Sequence, residues 1–280
     1  MPRRSPYELD EETPGPRNIS PRFGVEIEFT GTSATPVEQA LATKSIFVQT
    51  EDYNHRTRDY WKIVPDQSAG LELVSPPLEW GMRHTVRDVM QGASQGGARV
   101  TVDCGLHVHH EFPWYSQIHD SDTQKRMDRL VEMYENCKPL LERLLTPSRL
   151  ADNEYVMFNT EADRYDCDHL VDIWSGDQRY VAVNGFSLPK YGTVEFRQHQ
   201  GTLNPSKALA WIEFTRQLVH AAATPADMLD ASATDRGRSD ARWALVFNKM
   251  STSTRRYMTQ RTEGAYANLT TAISSKLIRY

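Results

Sequence analysis

The sequence predicts an α+β fold in which a β-sheet packs one face on helices and turns the other to chemistry. Three stretches carry that prediction. FGVEIEF (23–29), CGLHVHHEF (104–112) and TVEFRQHQ (193–200) each alternate apolar and polar residues with the period of two that a half-buried strand requires. On the first, Glu26 and Glu28 share a face against Val25, Ile27 and Phe29. On the second, His107 and His109 oppose Leu106 and Val108, and on the third Glu195, Arg197 and His199 oppose Val194 and Phe196. If these strands share a sheet, their polar faces pool two Glu, two His and a Glu/Arg pair. Adjacent carboxylates repel and raise one another's pKa unless a cation intervenes, so the pooled face reads as a divalent-metal and phosphate site rather than three solvated strand faces.

Composition bounds the possibilities. A chain of 280 residues that is 39% hydrophobic and 25% charged is an ordinary soluble globular sequence, long enough for one large domain. No apolar run approaches the roughly 20 residues that span a bilayer, and the first residues carry charge but no apolar signal core. Cys104, Cys137 and Cys167 are odd in number and form no CxxC pair, which argues against a disulfide framework or zinc ribbon. A cytoplasmic location is the expectation. A net charge of −5 gives no overall attraction to nucleic acid, although residues 251–280 are locally basic, with Arg255, Arg256, Arg261, Lys276 and Arg279 against Glu263.

Taken in order, residues 1–21 are rich in Pro, Ser and charge and read as a flexible arm. A catalytic domain over 22–250 and a basic extension over 251–280 follow. After the strand 23–30, Thr35-Pro36-Val37-Glu38 reads as a capping box opening a helix that buries Leu41 and Ile46. Residues 61–64 and 71–75 form a hairpin about the turn Asp66–Gly70, ended by Pro76-Pro77. Glu72 lies on the second strand opposite Leu71 and Leu73, and joins the acids if that face is the polar one. Residues 80–93 read as a helix with an apolar stripe of Met82, Val86, Val89 and Met90, followed by a strand over 99–102.

Ser121-x-x-Gln124 reads as a second capping box before the longest predicted helix, with Met127, Leu130, Met133, Tyr134, Cys137, Leu141 and Leu144 inward and Pro139 kinking or splitting it. Residues 146–178 are polar and irregular, and the acid-rich part 153–177 is a candidate cover for a site. Strands over 179–183 and 193–200 follow, joined by NGFSLPKYG, which places Asn184 and Lys190 beside the central strand. Asn204-Pro205 caps a helix carrying Ala208, Trp211, Ile212, Leu218 and Val219, and a last helix is expected near 241–250.

The donor set suits Mg²⁺, which prefers oxygen ligands and substrate phosphates, while His-x-His is also a zinc-ligand spacing. FGVEIEF, DQSAGLELVSPPL, CGLHVHH and the pair RYVAVN/TVEFRQHQGTLN occur in an order and spacing that resembles the amidoligase family, part of the glutamine synthetase and glutamate-cysteine ligase superfamily of carboxylate-amine ligases. The resemblance covers roughly residues 22–225. It implies a curved, mainly antiparallel sheet, the funnel of a glutamine synthetase-like catalytic domain, with helices on its convex face. ATP and two or three Mg²⁺, or Mn²⁺, would lie in the concave face. By motif it implies Glu26, Glu28, Glu72, Glu195 and His107 as metal ligands, and Arg197, Glu195, His107 and His109 as the catalytic set. Arg197, Arg179, Asn184 and Lys190 are then the expected nucleotide contacts; His110 and His199 receive no role. The expected reaction joins a carboxylate substrate to an amine through an acyl phosphate. Phosphotransfer on a related funnel and hydrolysis by a metal bound at His107/His109 are the competing readings.

Overall fold

The computed structural model describes residues 21–67, 69–113, 115, 120–150, 156–159, 180–225, 242–243 and 245–262. In chain order, β1 (Phe23–Phe29) leads to α1 (Ala34–Ala42), β2 (Val48–Thr50), the hairpin β3 (Trp61–Asp66) and β4 (Gly70–Val74), α2 (His84–Gln95) and β5 (Gly105–Glu111). Then come α3 (Ser121–Glu135), α4 (Lys138–Leu144), β6 (Val183–Asn184), the short α5 (Leu188–Tyr191), β7 (Thr193–Gln200), α6 (Pro205–Ala223) and α7 (Thr252–Arg261). The strands form one seven-stranded sheet in the order β2-β3-β4-β1-β5-β7-β6, antiparallel throughout except where β2 runs parallel to β3. The mixed α+β class is therefore as the alternation predicts.

The apolar strand faces bury Val25, Ile27, Phe29, Ile63, Leu73, Leu106, Val108, Val194 and Phe196 in a single core with residues of the helices. α6 lies at its centre. Asn204 starts it by accepting from the Ser206 and Lys207 amides through Oδ1, with Pro205 in the first turn where a missing N–H costs nothing. It is 19 residues long and buries residues around most of its circumference, as a helix packed on several sides must. α6, not the helix after Ser121, is the longest among the described residues. Pro139 does split that earlier helix, into α3 and α4, and sits in the first turn of the latter. Met127, Met133 and Cys137 are buried core, and burial pushes the Cys137 thiol well up, which makes it unreactive.

Several local expectations shift. The first helix starts after Ser33 rather than Thr35, with no side-chain capping bond from Ser33, and Glu38 instead accepts from the Thr50 amide and hydroxyl, tying β2 to α1. The second capping position is Asp120, whose Oδ2 accepts from Thr123, one residue before Ser121. Residues Trp80–Arg83 form a 3₁₀ turn before α2, which leaves Met82 exposed rather than on the stripe. Only Arg99 of the 99–102 stretch pairs, in a bridge to Thr30, and Val102 is exposed. The strand expected over 179–183 reduces to Val183–Asn184, with Val181 bridged to Met157. Residues 1–20, Arg179, most of 153–177, 226–241 and 263–280 lie outside the described residues.

Candidate functional site

Antiparallel pairing brings the polar positions into register across four central strands. Glu26 on β1 faces His107 on β5 and Val74 on β4, which in turn faces Lys62 on β3. Glu28 faces Glu72 in the next row, so Glu72 does join the acid face. In the row on the other side, His109 faces Glu195, and Glu195 faces Asn184 on β6. Residues far apart in the chain thus become neighbours.

Glu26 lies at the centre of the cluster. His107 Nδ1 stands 3.3 Å from its Oε2, and His109 Nε2 stands 3.2 Å from its Oε1. Glu195 Oε1 is 3.6 Å from His107 Nδ1 and 3.9 Å from His109 Nε2. Glu26, Glu72 and His107 can each bring a ligand atom within 4.8 Å of the others, and so can Glu26, His109 and Glu195. Glu28 belongs to neither set; its Oε2 accepts from the Gly105 amide at 2.6 Å, while Oε1 lies 3.4 Å from His107 Nε2. Glu195 is held on both oxygens, by Asn184 Nδ2 at 2.8 Å on Oε2 and by Arg197 Nη1 on Oε1. Asn184 is therefore a partner of Glu195, and its own Oδ1 accepts from the Phe186 amide.

The electrostatics divide these acids. Burial raises the Glu72 carboxyl well above the ordinary range, and repulsion from Glu26, Glu28, Asp66 and Glu195 adds to it. For Glu26, burial is outweighed by the two imidazoles, His109 foremost, and the carboxyl stays well below the ordinary range. Glu195 is likewise held low, by Arg197 first and the imidazoles next, against its burial. His109 is pushed up despite burial, mainly by Glu26. The Arg197 Nε is buried with no hydrogen-bond partner among the described residues. A carboxyl whose ionisation is disfavoured by burial and by its acidic neighbours, beside a buried guanidinium N–H with no hydrogen-bond partner, suits a divalent cation and an anionic group.

A cavity of about 280 Å³ opens on this face. Glu26, Glu72, His109, Glu195, Arg197 and Lys190 line it, Lys190 over the Tyr191 ring, together with the segment 54–58. Lys62 also lines it, and its Nζ donates to the carbonyls of Asn54 and Arg56 and to Asn54 Oδ1. Sequence reading missed Lys62, although its place between Trp61 and Ile63 already put it on the polar face. It also missed Arg149, a buried guanidinium that donates to the carbonyls of Cys104 and Asp103 and fixes the turn before β5.

Two histidines lie away from the site, and only one of them against expectation. His110 lies on the apolar face, where its Nε2 meets Thr215 Oγ1 on α6 at 2.8 Å. His199 was expected beside Glu195 and Arg197, but β7 takes three steps from Phe196 to His199 while β5 takes two from Val108 to Leu106. That bulge puts His199 opposite Leu106 and against Trp211 of α6, the rings tilted by 48° with centroids 5.1 Å apart. Burial lowers its pKa to about 4. The unfolded imidazole protonates near its ordinary value of about 6.5, so stability from neutral His199 is complete above that pH and falls as pH drops towards 4. A His199→Gln variant should remove that acid sensitivity, on the order of 3 kcal/mol of stability lost between pH 6.5 and 4. Urea unfolding midpoints at the two pH values test it; an equal drop in both proteins would contradict it.

Gly105 gives the site its depth. A Cβ there would fall 2.8 Å from His107 Nε2 and 3.4 Å from Glu28 Oε1. Gly105→Ala is expected to displace His107 and cost about 1–3 kcal/mol, the ordinary range for overpacking. Denaturant unfolding checks the cost, and unchanged stability would show that the pair can shift freely.

A family model described as "Putative amidoligase enzyme" matches residues 20–219. No curated protein matches the chain. Among the described residues no helix is long and apolar enough to cross a membrane.

Proposed function

The chain belongs to the amidoligase family, a family of ligase-type enzymes, and from that premise we propose that it is an ATP- and Mg²⁺-dependent ligase joining a carboxylate to an amine with release of ADP. The observation that carries this reading is the sharing of Glu26 between two three-residue ligand sets on one sheet face, with Arg197 beside them. Glu26, Glu72 and His107 would hold one ion, and Glu26, His109 and Glu195 a second. When bound, the ions would neutralise phosphate charge and stabilise it during transfer. The resemblance also assigns Glu28 as a ligand; its bond to the Gly105 amide supports a role in fixing the β1–β5 edge of the site.

This chain's own groups supply the rest. Arg197, oriented by Glu195, offers its unpaired Nε to the transferring phosphoryl oxygens. Asn184 keeps Glu195 in place, and Lys190 at the cavity edge attracts an anionic substrate or the nucleotide. A carboxylate does not condense with an amine in water unless activated, so an acyl phosphate shielded from water is the economical intermediate. Incubation with ATP, Mg²⁺ and pools of amino acids or peptides should give ADP, phosphate and a product lighter by one water than its precursors. Release of AMP and pyrophosphate would sink the acyl-phosphate route, a stable phosphorylated product would identify a phosphotransferase, and stoichiometric zinc would favour the hydrolase.

A further inference from the structure

The segment between β2 and β3 has no regular structure, yet it is fastened at three points. At its ends Glu51 accepts from Arg58 through both oxygens and from the Tyr60 hydroxyl at 2.8 Å, closing the segment into a loop. The hydrogen bonds from Arg58, opposed by burial and helped by that from the Tyr60 hydroxyl, hold the Glu51 carboxyl down to about 2, so the clasp is an ion pair at neutral pH. From below, Lys62 spends three hydrogen bonds of 2.9, 3.0 and 2.9 Å on Asn54 and Arg56. From across the cavity, the Tyr191 hydroxyl donates to the His55 carbonyl at 2.7 Å.

Lys62 is the unusual member. It is 3% exposed, stands on the polar face in the same row as Glu26, and gives three hydrogen bonds to the loop rather than to an acid. An ammonium buried this deeply is costly unless its protons are used, and here they are used to hold main chain in place. The loop so held, through residues 54–58, forms part of the wall of the cavity that Glu26, Glu72 and Arg197 also line. Tyr191 joins it to the chain on the opposite rim.

We infer that Lys62 is a positioning residue, and that the 52–58 loop it holds is a cover that keeps water from the reacting phosphate. This rests on the ligase reading above, in which an activated carboxylate must be kept from hydrolysis. The cover is latched by Tyr191 and hinged over Lys62. Loosening it leaves the acid face intact but lets water compete with the amine.

Two variants test it, Lys62→Met and Tyr191→Phe, the second removing one hydroxyl at the surface and leaving the core untouched. Hydrogen–deuterium exchange over 52–59 should quicken by about fivefold in Tyr191→Phe, the loss of one hydrogen bond, and by about tenfold or more in Lys62→Met, the loss of a charged donor. Exchange within β1 and β4 should stay as in the wild type. With MgATP alone as the probe, ADP release into water should rise in both variants in the same order. Unchanged exchange in both overturns the tether, and faster exchange without more ADP overturns the cover. Failure of the ligase reading looks different: the wild type then makes no amide product with any substrate pool, while exchange still decides whether Lys62 holds the loop.

Discussion

Replacing Arg197 by alanine is expected to lower turnover by about 10² to 10³, or roughly 3–4 kcal/mol of transition-state stabilisation, the usual cost of one such contact. Its guanidinium is buried beside Glu195, which together with Glu26 keeps it charged in spite of that burial. Its Nε has no partner among the described residues, so the group is committed on one side and open on the other. Metal binding should survive, because Arg197 belongs to neither ligand set. Arg197→Lys should restore only part of the rate, since an ammonium cannot reproduce a planar fork. Steady-state ADP release measures both variants. Near-normal turnover with unchanged ATP dependence would remove β7 from the phosphate site.

Glu26→Gln should be at least as damaging, and by a different route. Glu26 is the one residue common to both ligand sets, so its loss strips a carboxylate from each. An expected loss of several kcal/mol corresponds to about 10³-fold or more in turnover. Titration with Mn²⁺ followed by electron paramagnetic resonance should show both binding events weakened, whereas Glu195→Ala should weaken one and raise the Mg²⁺ requirement. The side chain is not part of the apolar core, so the unfolding midpoint should move little. Wild-type Mn²⁺ binding by Glu26→Gln would refute the shared-ligand arrangement.

The polar face was legible because period-two alternation is a local property. FGVEIEF and GLHVHHE became strands with the expected face, TVEFRQHQ did so as far as Arg197, and Glu72 followed from the hairpin. His199 was not legible, because one extra residue in β7 reverses every later side chain and only the partner strand reveals it. Lys62 was legible as to face but not as to role, since its acceptors are mainly backbone carbonyls, which carry no sequence signal. β2 is three residues of mixed burial and had no pattern to read. Met82 failed for another reason: a 3₁₀ turn has a different period from the helix it precedes.

The strand order has a consequence for how such a molecule is made. β1, the first strand to leave a ribosome, ends up in the middle of the sheet, with β4 on one side and β5 on the other, and β7 closes against β5. Pairing of β1 with β4 can form early, but Glu26 meets Glu195 and Arg197 only after the chain has passed residue 200. Such non-local pairing raises contact order and slows folding. Until β7 arrives, β5, mostly buried in the finished sheet, presents an open hydrogen-bonding edge. A nascent or truncated chain ending before Thr193 is therefore expected to hold no catalytic centre and to be the species most prone to aggregate, which places the demand for chaperones late in translation.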